Sequence, residues 1–520
     1  MSDRRRFALL SVSDKTDIAV LGKGLVELGF TLLSTGGTRN RLMEAGLPVV
    51  AVSEYTGHPE IMNGRVKTLH PRIHAGLLGL RDAHADEADQ HNVDWIDFVA
   101  VNLYPFEATI SKADVRLEDA IENIDIGGPS MLRSAAKNHR FVTVVTSPLD
   151  YGHVLEELRE GGQVTDATRQ RLAVKAFQHT AAYDGLISSW LSERLAVGEA
   201  AVEGALPLRK VQTLRYGENP HQRAGFWTTP GEGGRSLSRI AQLQGKTLSF
   251  NNLADLDGCL RAVFEFTEPA CVIVKHMNPC GAAVHSDGPS RAFELALSGD
   301  PVSAYGGIVA FNRPIDADDV RTIRKARTFF EVVAAPGISE AARELLKARE
   351  KLRVMELPAD WIESRPAGMD ARRVQGGWLL QDWDVGAEIG WTVASRERPD
   401  EAQAATLRFA WQICRSVKSN AIVLARALDG GFVLNGVGAG QMSRVDSVRL
   451  AIQKATREVT GAVLASDAFF PFPDGVQIAL EAGVKAFIQP GGSIRDEAVL
   501  EAVDGADAVM VFTGMRHFRH

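Results

Sequence analysis

Cysteine is scarce: there are four in 520 residues, Cys259, Cys271, Cys280 and Cys414, and no two stand as Cys-x-x-Cys. That spacing excludes an ordinary zinc knuckle or redox dithiol and suits a reducing, cytoplasmic compartment. No apolar run approaches the roughly 18 residues of a membrane helix. Phe7–Val12 is too short for the apolar part of a signal peptide. A basic excess is also missing, with 58 Lys and Arg against 65 Asp and Glu, a net charge of −7. A long polynucleotide partner is thereby disfavoured, because backbone phosphates are held by clustered cations. Small anions are not excluded. What is present is ordinary globular composition, 45% hydrophobic and 24% charged, in a chain long enough for roughly three or four domain-sized units.

Short apolar runs alternate with helical patterns, which predicts a parallel α/β layer. Phe7–Val12, Phe30–Leu33, Phe98–Leu103 and Phe141–Thr146 read as strands. Ile18, Leu21, Leu25 and Leu28 share one helical face, another helix is expected from about Arg39, and a long one spans 167–193. Gly198, Gly204 and Pro207 mark a boundary, so the domains are placed at 1–198, with a core of about 1–148, and 199–520. Beyond it, Ala270–Val274, Gly307–Phe311, Glu331–Ala335, Ala421–Ala425, Gly461–Ala465, Ala486–Ile488 and Ala508–Phe512 read as strands. Val274-Lys-His-Met-Asn278 echoes Val417-Lys-Ser-Asn420, a faint sign of duplication.

The chemistry gathers at strand ends. Ser34-Thr-Gly-Gly-Thr38 precedes a helix, where backbone N–H groups and the helix dipole favour an anion; the alternative is a tight turn with an N-cap. Ser11–Lys15 follows another strand in the same way. Arg65 and Lys67 lie in a segment bounded by Gly64 and Pro71, as a phosphate fork or as solvated charge. Asp125-Ile-Gly-Gly-Pro-Ser130 opens a helix carrying Lys137. A carboxylate between Lys67 and Lys137 would tune a lysine, and the Asp125 and Ile126 amides would stabilise an oxyanion. Tyr104 ends a strand, as a phenol for the site or as packing. Arg215 and Tyr216 suit a phosphate clamp and a base stack, or a polar surface loop. Lys275 and His276 end a buried strand, and the lysine helps keep the histidine neutral as a base; the alternative is a satisfied interior histidine. Pro279-Cys280 is half of a zinc-deaminase signature whose remaining ligands are missing. Phe469, Phe470 and Phe472 would sandwich a flat ligand or fill a core.

Nine segments in order together resemble the family of bifunctional purine-biosynthesis enzymes that join 5-aminoimidazole-4-carboxamide ribonucleotide (AICAR) formyltransferase to inosine monophosphate (IMP) cyclohydrolase. They are Ser34-Thr-Gly-Gly, Gly64-Arg-Val-Lys-Thr-Leu-His-Pro, Asn102-Leu-Tyr-Pro-Phe, Ile124-Asp-Ile-Gly-Gly, Ala136-Lys-Asn-His, Leu214-Arg-Tyr-Gly-Glu-Asn-Pro-His-Gln, Lys275-His-Met-Asn-Pro-Cys-Gly, Gly438-Ala-Gly-Gln-Met-Ser-Arg and Ser466-Asp-Ala-Phe-Phe-Pro-Phe. The resemblance implies a methylglyoxal-synthase-like cyclohydrolase domain followed by a duplicated cytidine-deaminase-like formyltransferase region. It places Ser13, Asp14, Lys15, Ser34, Thr35, Gly36, Gly37, Arg65, Val101, Asn102 and Ile126 around the nucleotide. Lys137 would carry the proton, helped by Lys67, Tyr104 and Asp125. His276, with Lys275, would be the base for formyl transfer. Arg215, Tyr216, Gly306, Glu331, Asn420, Arg444 and Arg516 match nucleotide positions, and Glu331 stands where some members carry Asp. Phe469, Asp474, Ser493 and Ile494 match the folate neighbourhood. The implied co-substrate is 10-formyltetrahydrofolate, with no required metal, and the implied assembly is a homodimer acting on small molecules, without nucleic acid or membrane. A nucleotide sensor and a triose-phosphate lyase are the rival readings.

Overall fold

A computed structural model describes residues 5–112, 114–195, 203–231, 233–385, 390–428 and 430–520. The expected break at Gly198 lies outside them. The chain divides into two units between Arg209 and Lys210, with Thr229–Gly231 belonging to the first.

In the first unit, β1 (Arg6–Val12), β2 (Phe30–Ser34), β3 (Val49–Ala51), β4 (Ile96–Asn102) and β5 (Thr143–Val145) form a sheet in the order β3-β2-β1-β4-β5. All four pairings are parallel. Such a sheet must be covered on both faces, which is why its strands are almost wholly apolar. Ala8, Leu10 and Val12 pack with Ile18, Leu21 and Leu25 of the helix Ile18–Glu27. Phe7 and Leu9 face the opposite core, built with Met131, Leu132 and Ala135 of the helix Gly127–Lys137. The long helix Asp166–Arg194 is capped by the Thr165 hydroxyl, which accepts from the Thr168 amide. The helix expected from Arg39 begins three residues earlier, at Gly36.

The second unit opens with a ribbon, β6 (Arg209–Thr213) and β7 (Gly225–Thr228). Its main sheet holds twelve strands among the described residues. One half comprises β8 (Ala241–Gln244), β9 (Ala270–Lys275), β10 (Asn278–His285), β11 (Gly307–Phe311), β12 (Phe330–Ala335) and β13 (Arg353–Glu356). An isolated hairpin, β14 (Asp370–Val374) and β15 (Gly377–Gln381), follows. The other half comprises β16 (Thr392–Val393), β17 (Ile422–Leu428), β18 (Gly431–Gly438), β19 (Val463–Ser466), β20 (Ala486–Gln489) and β21 (Val509–Phe512). The order β16-β21-β20-β19-β17-β18-β10-β9-β11-β12-β13-β8 is one arrangement repeated about the antiparallel β10–β18 pair. In each half a hairpin is followed by strands that run parallel to one another, and the half's first strand closes its outer edge antiparallel. The helices Phe250–Val263 and Glu401–Cys414 occupy equivalent places and both begin with a capping box, Ser249 with Asn252 and Asp400 with Gln403.

The duplication is real, but the sequence echo does not mark it. Lys275 ends β9, whereas Lys418 precedes β17. The two segments meet at the ends of central strands, where Asn278 Oδ1 accepts the Lys418 amide at 2.9 Å. No described helix is long and apolar enough to cross a membrane.

Candidate active sites

Loops at the carboxyl ends of β1, β2 and β4 converge on a cavity of about 570 Å³ in the first unit. Asn102, the last residue of β4, ties the first loop: its Oδ1 accepts the Ser13 and Asp14 amides at 2.6 and 2.9 Å. The helix Gly36–Glu44 points its amino end at the cavity, and its Ncap Thr35 makes no side-chain cap. Its first amides therefore lack intrahelical partners. The backbone at Gly36 is left-handed, with φ 48°. A Cβ at Gly36 would sit 3.6 Å from Lys67 Nζ, and one at Gly37 would sit 3.3 Å from Lys15 Cε. Two ammonium groups thus flank a helix start, an arrangement suited to a phosphate.

Asp125 lines the same cavity. Its Oδ1 accepts the Gly128 amide at 2.8 Å, and burial pushes its carboxyl above the ordinary range against the pull of that bond. The Asp125 amide donates to the Tyr183 hydroxyl at 2.9 Å, which corrects its expected oxyanion role. Ile126 and Gly127, at the start of the helix Gly127–Lys137, also line the cavity, and the first amides of a helix have no intrahelical partner. Glu60 lies 3.3 Å from Lys67 Nζ, and Glu122 pairs with Arg65. No pattern in the sequence signalled either glutamate.

Ser13, Lys15, Thr35, Gly36, Gly37, Arg65, Lys67, Val101, Asn102, Tyr104, Asp125 and Ile126 all line this cavity. Three expected residues do not. Ser34 is fully buried and its hydroxyl donates to the Leu10 carbonyl at 2.7 Å. Asp14 turns to Thr16, accepting from its amide and hydroxyl, and these bonds lower its pKa. Lys137 is exposed at the far end of a helix whose start lines the cavity. Met131, six residues earlier on the same helix, is the last to line the cavity, so Lys137 stands a rise of about 9 Å beyond it.

In the second unit, β9 delivers Lys275 and His276 to a cavity of about 320 Å³ that Asn278, Cys280, Asp300, Gln441 and Lys454 also line. Lys275 Nζ donates to the Gly306 carbonyl at 3.2 Å, where φ is 72°. Cys280 is no ligand in waiting, since burial pushes its thiol up to about 12. A second cavity of about 400 Å³ holds Asn420, Arg444, Phe469, Phe472, Asp474, Arg516 and Phe518. The two are joined by chain: Gln441 lines the first and Met442 the second, and Asn420 Nδ2 donates to both carbonyls. Of the three phenylalanines, Phe470 is core, while Phe469 and Phe472 are exposed.

Arg444 is more committed than expected. Its buried guanidinium pairs with the buried Asp467 and donates to Ser466 Oγ at 2.7 Å and Asn420 Oδ1 at 2.8 Å. Glu331 pairs with the buried Arg353 and lines neither cavity. Arg215 stacks over Tyr216, 5.3 Å from the ring centroid, also away from both. Ser493 and Ile494 lie on a neighbouring loop, whose Arg495 guanidinium stands 5.0 Å over the Phe472 ring.

Comparison with known proteins decides among the readings. The AICARFT/IMPCHase bienzyme family model matches residues 135–454, and the MGS-like domain model matches residues 17–130. The chain belongs to the AICARFT/IMPCHase bienzyme family. Among curated relatives of this bienzyme, the bifunctional purine biosynthesis protein PurH of Magnetococcus marinus is 51% identical over 535 aligned residues, covering 99% of each chain. A solved structure, the crystal structure of ForH, is 35% identical over 35% of this chain and 95% of its own, with a TM-score of 0.31. The bienzyme assignment displaces both the sensor and the lyase. The chain is a bifunctional enzyme of purine biosynthesis with AICAR formyltransferase and IMP cyclohydrolase activities.

Proposed function

We propose that the two activities are divided between the two units, with ring closure in the first and formyl transfer in the second. The observation that carries this is the separation of chemistry. Asp125, Tyr104 and two lysines share a cavity in one unit, and Lys275 and His276 end a hairpin in the other.

In the second unit, the 5-amino group of AICAR attacks the formyl carbon of 10-formyltetrahydrofolate. That amine is weakly nucleophilic because its lone pair is delocalised into the ring and carboxamide. His276 takes the amine proton as the new C–N bond forms. Lys275 stabilises the oxyanion. The bond to the folate nitrogen then breaks and a proton returns to that nitrogen. General-base help of this kind contributes about 10²–10⁴-fold. The exposed Phe469 and Phe472 suit the flat pterin, and Asn420 and Arg516 suit the nucleotide.

In the first unit, the Gly36 and Gly37 amides with Lys15 hold the phosphate. The carboxamide nitrogen attacks the formyl carbon, a proton passes to the carbonyl oxygen, and water leaves. Asp125 accepts and returns the proton. Lys67, Tyr104 and the Ile126 amide stabilise the transient oxyanion. Lys137 does not line the cavity of its own chain, and in this reading a second copy of the protein lends it. The reaction enlists no metal.

The test is a pair of variants. His276→Ala abolishes formyl transfer and leaves closure of supplied formyl-AICAR unchanged; Lys67→Ala does the reverse. Equal loss of both activities in either folded variant refutes the division.

A further inference from the structure

The hairpin β9–β10 turns through only two residues, His276 and Met277, because Lys275 pairs with Asn278. Both central residues are left-handed, with φ 52° and 61°. This is the form of a type I′ turn, which normally takes Asn-Gly because side chains resist φ > 0. Non-glycine residues held there need support from their surroundings. We propose that Asp255 is a positioning residue for formyl transfer, clamping this turn so that His276 faces the substrate.

Asp255 lies on the helix Phe250–Val263, and its Oδ1 accepts the Met277 amide at 2.7 Å. The same carboxylate is reached by the His276 amide. The central amides of such a turn are not paired across the hairpin and need an acceptor. On the other side, Asn278 Nδ2 donates to the His276 carbonyl at 3.1 Å. Asn278 is in turn fixed by the Lys418 amide. The backbone of His276 is therefore tied on both sides, leaving the ring's own torsions free. Gly258, one helical turn beyond Asp255, rests against the Met277 backbone.

The duplicate half differs at both places, and, counted from its helix, its first hairpin strand runs two residues further. Its hairpin, β17–β18, closes through Gly430, with φ 82°. In the equivalent helix, the residue at the place of Asp255 is Thr406, whose hydroxyl donates to the Ala402 carbonyl instead. The carboxylate occurs in the half whose turn has methionine in place of glycine.

The inference rests on His276 being the base, and the experiment separates the two. Asp255→Ala lowers kcat for formyl transfer about tenfold or more, the scale of a small misplacement of a reacting group. KM for both substrates stays within about twofold, and ring closure is untouched. Asp255→Asn, which keeps the acceptor, restores most of kcat. Asp255→Ala/Met277→Gly also regains activity, because glycine adopts the turn unaided. A crystal structure of Asp255→Ala shows residues 276–277 out of the left-handed region. Unchanged kcat in Asp255→Ala, or an unchanged turn, overturns the clamp. Formyl transfer surviving His276→Ala overturns the base assignment alone, and the crystal structure still reads the clamp.

Discussion

Asp125 shows how one residue couples chemistry to stability. Burial raises its pKa, and the bond from the Gly128 amide only partly offsets this. A carboxyl whose folded pKa exceeds its unfolded value stabilises the fold most fully below the unfolded value. That contribution is lost as pH rises through the folded value. Asp125→Asn keeps an acceptor for Gly128 without the charge. The variant's melting temperature relative to the parent therefore rises as pH moves from the ordinary carboxylate range to neutrality. Thermal melts across that window check this. A parent that gains on the variant as pH rises shows that Lys67 and Lys15 outweigh burial. Ring closure in the same variant falls by about 10² or more, because the proton acceptor is gone. Stability gained against activity lost is the expected signature of a functional buried acid.

At the scale of elements, the strand–loop–helix rhythm was readable because both sheets contain parallel strands, whose buried runs are short, apolar and bounded. Gly307–Phe311 falls where the sequence put it, and most other strands shift by one or two residues. Among the strands that the sequence did not signal, β10 hides behind Pro279 and Gly281 and β18 behind three glycines. Those glycines have a structural reason. A Cβ at Gly281 would run into the Ala296 carbonyl, and one at Gly436 into the Ala451 carbonyl. Both pairs differ by the same interval, 436 minus 281 and 451 minus 296 each giving 155, so one strand–helix approach is repeated. Gly281→Ala and Gly436→Ala each force backbone apart and destabilise the second unit by about 1–3 kcal/mol. Chemical unfolding followed at the second unit reads the loss, and ring closure in the first is unaffected. If either alanine is accommodated without cost, the approach is looser than it stands. The cavity residues at strand ends were legible for the same reason as the strands. Glu122 and Asp255 act across 57 and 22 residues of sequence, and nothing local announces them.

For the whole molecule the unsettled residue is Lys137. In a single chain it stands outside the cavity that holds Asp125, a rise of about 9 Å beyond Met131, the last residue of its helix to line that cavity. The family resemblance nevertheless assigns it the proton of ring closure. The two statements are reconciled if two copies associate and each lends Lys137 to the other. A two-fold assembly permits that exchange. Co-expression of Lys67→Ala with Lys137→Ala distinguishes the arrangements. Random pairing makes half of all dimers mixed, and each mixed dimer has one cavity with both lysines and one with neither. About a quarter of all cavities are then intact. Ring closure in the co-expressed pair recovers to about a quarter of the parent level, although each variant alone is inactive. If Lys137 serves its own chain through some rearrangement, every cavity in the mixture lacks one lysine and nothing is recovered. If Lys137→Ala alone is fully active, the lysine has no part in ring closure, and Lys67 is the cation on which the reaction depends.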